Sequence, residues 1–191
     1  MGKERVEAFS DGVFAILITI MVLELRPPEG NSFEALKPLI PKFISYVLSF
    51  VYIGIYWNNH HHLFHAANHV NGKILWYNTL LLFCISLISF ATAWMGENHF
   101  SAAPVALYGM VLLLCAIAYW LLVKTLVCHH GKESLLATSI GNDFKGKISI
   151  VIYILGSLIS FYNSWISMGL YFAVALIWFI PDTRIEKRIK E

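Results

Sequence analysis

The residues of this sequence best suited to chemistry are polar groups set against long apolar runs. Arg5, Ser10 and Asp11 stand where the first run begins. Trp57-Asn58-Asn59-His60-His61-His62 closes the second, and Asn78 lies near the start of the third. A carboxylate in such a setting needs donors, and an imidazole, an amide or an indole supplies one. The chemistry implied is a hydrogen-bonded polar network rather than bond-making. No GxSxG, HExxH or Walker sequence is present, so no enzyme is expected. His61, His65 and His69 are spaced i, i+4, i+8 and would share one helical face if the helix continued. Zinc needs three or four ligands in fixed geometry, and no cysteine or further histidine offers itself at that depth. Interfacial or network histidines are therefore expected, with no metal and no other cofactor. His129 and His130 are expected to be solvated in a connection. Cys84, Cys115 and Cys128 form no CxxC pair and read as small apolar filler.

These groups need elements to hold them, and composition says which. Of 191 residues, 58% are hydrophobic and only 14% are charged. A soluble domain has roughly 45–50% apolar and about 25% charged residues. Six membrane helices would use about 120 residues and leave about 70 for every connection. That excludes a separate catalytic domain, and a net charge of +2 gives no surface for nucleic acid. The expected fold is an all-α integral membrane protein in which residues 1–191 form one six-helix domain. Its spans run roughly over 4–26, 42–62, 73–95, 102–127, 146–162 and 164–181. The last two come from one uncharged run, Ile148 to Ile180. As a single helix it would be about 50 Å long, too long for a hydrocarbon core of about 30 Å. A reversal at Phe161-Tyr162-Asn163-Ser164 resolves this.

Positive charge orients the bundle. With six spans, eleven of the lysines and arginines fall on the side of the two ends, among them Lys3, Arg5, Lys73, Lys124, Lys132, Arg184 and Lys190. Arg26, Lys37 and Lys42 fall on the other. Both ends are expected to be cytoplasmic. Arg5, Ser10, Asp11, the His60 region and Asn78 then lie in one layer at the inner boundary. The basic tail is expected to be a solvated stop-transfer flank.

Helical angles divide the first span into two faces. At about 100° per residue, with Ile16 at 0°, Thr19, Ile20 and Leu23 fall near 300°, 40° and 340°. They form one stripe with Phe9 at about 20°, whereas Asp11 lies near 220°. Spacing alone leaves open whether this stripe meets lipid, core or a pore. Glu24, near 80° on the same wheel, would sit at the outer end. No TVGYG carbonyl filter occurs.

Arg5-Val6-Glu7-Ala8-Phe9-Ser10-Asp11 reads R-x-x-x-F-S-D and resembles the signature of the transmembrane-protein-175 family of potassium channels. Trp57-Asn58-Asn59-His60-His61-His62-Leu63-Phe64 is similar to that family's W-x-N-H-H-x-L-F. A weaker match covers Asn78-Thr79-Leu80 and Ser86 to Thr92, with Ser89 where the family often has proline. The resemblance implies a bacterial plasma-membrane protein with one six-span unit per chain, assembled as a homotetramer. Its pore would be lined by the first helix of each subunit, with Ile16, Ile20 and Leu23 as apolar constriction and Thr19 as a hydroxyl layer. Arg5, Phe9, Ser10, Asp11, Trp57, Asn59, His60, His61 and Asn78 would form the packing network of the motif. Potassium ions, membrane lipid and three further copies of the chain are the implied partners. An ion-coupled secondary transporter and a proton-conducting leak channel are the alternative readings.

Overall fold

The computed structural model describes residues 2–131 and 143–179. Six α-helices carry them: α1 (Lys3–Leu23), α2 (Ile40–His65), α3 (Gly72–Glu97), α4 (Ala102–His130), α5 (Phe144–Ile159) and α6 (Ser164–Phe179). A 3₁₀ segment, Phe33–Leu39, leads into α2. Lys132 and the basic tail from Arg184 to Lys190 lie outside the described residues. Among the described residues every regular element is helical, as composition implied.

Boundaries follow local chemistry. α1 stops at Leu23, short of the expected Arg26, because the chain before Pro27-Pro28 is already turning, with Leu25 N donating to Val22 O at 3.1 Å. Pro41 sits in the first turn of α2, where its missing N–H costs nothing. The Asn71 side chain accepts from Ile74 N and caps α3. The α5–α6 reversal spans Ser160 to Asn163, whose side-chain oxygen accepts from Trp165 N at 2.9 Å. α4 runs on to His130, so His129 and His130 occupy its last turn rather than a solvated connection.

α1, α2 with its 3₁₀ lead, α3 and α4 are each long and apolar enough to cross a membrane. α5 and α6 have 16 residues each, about 24 Å at 1.5 Å per residue. α1 packs on α2 and α3; α3 also packs on α4, which in turn meets α5 and α6. Two close approaches depend on glycine. A Cβ on Gly96 would come within 2.8 Å of the Lys42 main chain, and one on Gly156 within 2.5 Å of the Tyr171 ring. Small residues let membrane helices approach so that packing replaces the absent hydrophobic drive.

Buried hydroxyls tie α2 to α3 and to the α4–α6 layer, and α5 to α6. Tyr52 donates to Tyr171 O at 2.6 Å, and the Tyr153 hydroxyl lies 3.4 Å from that of Tyr52. Ser49 pairs with Tyr108 at 2.9 Å and with Thr92 at 2.6 Å. Trp178 Nε1 donates to Ser149 at 2.9 Å. In lipid such groups have no water to turn to, so each must be met inside the protein.

Candidate pore helix and its anchor

α1 has two apolar faces of different fate. Val6, Phe14, Leu17 and Met21 are buried against α2 and α3 together with Ser10. The opposite face is left open by the subunit: Ile16 is 58% exposed, Ile20 43% and Leu23 76%, with Phe9 and Thr19 exposed beside them. Thr19 Oγ1 donates to Ile16 O at 2.7 Å. That uses its one hydrogen and leaves the oxygen as an acceptor. The open face is therefore an aliphatic stripe interrupted by one oxygen able to meet a cation.

The N-terminal half of α1 is fixed by a buried relay of three side chains, one from each of three helices. Ser10 Oγ donates to Val6 O at 2.8 Å and accepts from Asn78 Nδ2 at 3.0 Å. Asn78 Oδ1 lies 2.7 Å from His60 Nε2. With the amide nitrogen committed to Ser10, that oxygen is an acceptor, so His60 Nε2 carries the hydrogen. The His60 ring stacks on Phe64 at 4.5 Å and meets the Phe14 edge at 5.7 Å. All three polar side chains are buried.

The nine motif residues expected in one network divide into separate groups. Ser10, His60 and Asn78 make the relay. Asp11 is exposed and accepts from Trp57 Nε1 at 2.9 Å; the Trp57 ring stacks on His61, and His61 on His65. Phe9 stands on the open face. Asn59 takes no part in the relay: its side-chain amide donates to Ile55 O at 2.8 Å, and its main-chain carbonyl accepts from the Tyr119 hydroxyl of α4 at 3.4 Å. Arg5 is exposed, and among the described residues its side chain makes no hydrogen bond or ion pair. α2 ends at His65, so His69 does not continue the helical face of His61 and His65. Among the described residues no group of three or more His, Cys, Asp or Glu could hold a metal.

Two further anchors escaped sequence reasoning. Lys3 Nζ donates to Ala67 O at 3.0 Å and His65 O at 3.4 Å, meeting the orphan carbonyls at the end of α2. Its signal was present: a cation in the first turn of one helix faces the carbonyl end of its antiparallel neighbour. His130 Nε2 accepts from Asn68 N and His69 N at 3.0 and 3.3 Å, while its Nδ1 lies 2.9 Å from Leu126 O. No sequence signal marks His130, because its partners are main-chain groups of a remote turn.

Comparison with known proteins extends these observations. A profile described as endosomal/lysosomal potassium channel TMEM175 matches residues 5–88, the segment holding α1, α2 and most of α3. A potassium channel of Chryseobacterium sp. (strain P1-3) is 54% identical over the full length of both chains. A potassium channel of Chamaesiphon minutus is 31% identical over 90% of this chain and 91% of that one. The crystal structure of a lysosomal potassium-selective channel TMEM175 homolog from the same organism superposes with a TM-score of 0.82. That match has 28% identity and covers 94% of this chain and 97% of the other.

Proposed function

Because the chain belongs to the TMEM175 family, and is thus a multi-pass membrane channel of the potassium-channel kind, we propose that four copies, each lending α1, enclose its ion path. One observation carries this reading: the face of α1 that its own subunit leaves open holds Ile16, Thr19, Ile20 and Leu23, while every inner anchor of α1 acts from its other face or from its first turn. One subunit of six helices encloses no path of its own, and four open faces brought together would. The charge bias supports cytoplasmic ends, the six helices among the described residues support six spans within one domain, and the bacterial relatives support a bacterial plasma membrane as the home of the channel.

The mechanism follows from the stripe. Rings of Ile16, Ile20 and Leu23 make a constriction that admits no stable water column, so it gates by dewetting. An ion passing an expanded ring sheds part of its hydration shell. Potassium holds that shell less tightly than sodium and is the ion favoured. The Thr19 oxygens replace some of the lost water and offer a second source of selectivity, without a carbonyl cage.

Potassium and sodium flux from purified protein in liposomes tests this. Ile16→Asn and Leu23→Asn are expected to raise leak and lower potassium-over-sodium preference severalfold. Unchanged flux and preference in both would remove the stripe as constriction. Thr19→Ala separates the two sources of selectivity: preference that survives belongs to the apolar rings, and preference that collapses belongs to the hydroxyl layer.

A further inference from the structure

A groove between the start of α3 and the last turns of α4 has no part in the pore. It encloses about 360 Å³, within the roughly 300–1,000 Å³ of small-molecule sites. Lys73 and Tyr77 line it from α3, and Lys124, Thr125 and His129 from α4. Its lining holds two ammonium groups and no carboxylate. Among the described residues neither lysine has an acidic partner; Lys124 Nζ lies over the Trp120 ring at 4.9 Å. His129 Nδ1 accepts from the Asn71 amide at 3.1 Å, so the ring hydrogen sits on Nε2 as a further donor. Asn71 is held in turn by capping α3 through Ile74 N at 3.0 Å. Trp76, one turn beyond Lys73, is exposed, and with Trp120 it marks the interfacial level where indoles collect.

We propose that this groove binds a phosphate group, supplied by the headgroup of an anionic phospholipid or by soluble phosphate. Two unpaired ammonium groups facing a cavity without acid select a compact anion. The aromatic rim places that anion at headgroup depth. Acyl chains could then lie along the apolar outer surface of α3 and α4. The side of the membrane rests on the orientation proposed above; binding itself does not, and is read without reference to conduction.

The test uses the full chain in nanodiscs of phosphatidylcholine with and without phosphatidylglycerol, followed by native mass spectrometry. The wild type is expected to retain phosphatidylglycerol at least tenfold over phosphatidylcholine. Lys73→Gln/Lys124→Gln should bring that ratio close to one. Arg26→Gln/Lys37→Gln removes the same charge at the opposite end of the helices and should leave it unchanged. A second arm follows thermal unfolding in pure phosphatidylcholine with added inorganic phosphate. Protection there, lost in the Lys73/Lys124 variant, assigns the site to soluble phosphate; retention of phosphatidylglycerol without it assigns the site to lipid. Equal retention of both lipids with no protection by phosphate overturns the site. So does undiminished retention in a folded Lys73/Lys124 variant, and Lys124→Gln alone gives the same reading should the double variant fail to fold.

Discussion

The α1–α3 half and the α4–α6 half meet the same problem, polar groups at membrane depth, in opposite ways. In the first, the polar ties of α1, chief among them the relay of Ser10, Asn78 and His60, gather in its N-terminal half, and one face of the helix is left open. In the second, hydroxyls are distributed along the seam and tie helices over much of their length: Ser49 with Tyr108, Tyr52 with Tyr171, Tyr153 with Tyr52 and Trp178 with Ser149. α1 takes its polar ties in one half of its length and leaves its opposite face uncovered. The α4–α6 half is stitched shut around α2 and serves as its backing. The family profile covers residues 5–88, the half that contains α1.

The contrast has a largest expected consequence at Asn78. Asn78→Leu removes both relay bonds; Ser10 keeps its bond to Val6 O, but the His60 Nε2 donor is stranded in a buried site, at about 1–3 kcal/mol for an unmatched group. A severalfold fall in folded, assembled protein is expected on gel filtration. A well-behaved oligomer at wild-type yield would show that α1 is not held at this point. Gly156→Ala probes the stitched half. Its methyl group meets the Tyr171 ring, and overpacking of this kind costs about 1–3 kcal/mol. The melting temperature should drop while the potassium-to-sodium ratio stays at the wild-type value; a shifted ratio would mean that the halves are not separable. Tyr52→Phe, last in size, loses the bond to Tyr171 O and the longer one from the Tyr153 hydroxyl, two among several in the seam. At about 0.6 kcal/mol per bond in a bilayer, a shift of a degree or two is expected, and a large one would make Tyr52 a second pinning point.

Much of this architecture is legible in the sequence, for definite reasons. Apolar run length announces membrane helices, and the stripe of Ile16, Thr19, Ile20 and Leu23 follows from helical angle alone. What the stripe faces does not, since α1 is apolar on both sides and Leu17 reads no differently from Ile16 until neighbours are placed. The polar motif points to the N-terminal half of α1 as a place where helices are tied, yet settles neither which of its residues gather there nor their pairing. Asn59 and His60 are adjacent, and one residue's step of about 100° sends the first toward α4 and the second toward Asn78. The ties made by Lys3 and His130 end on main-chain carbonyls and amides, which every residue possesses and no pattern advertises.

The open face of α1 also bears on how such a channel comes into being. In a soluble oligomer, an uncovered row of isoleucine and leucine would drive aggregation before the right partner arrived. In a bilayer the same row is at home among acyl chains, so a lone subunit can wait in the membrane without a chaperone to hide it. In the four-subunit arrangement proposed above, that row would be wet for the first time only when the last subunit closes the ring and the final lipid tail leaves.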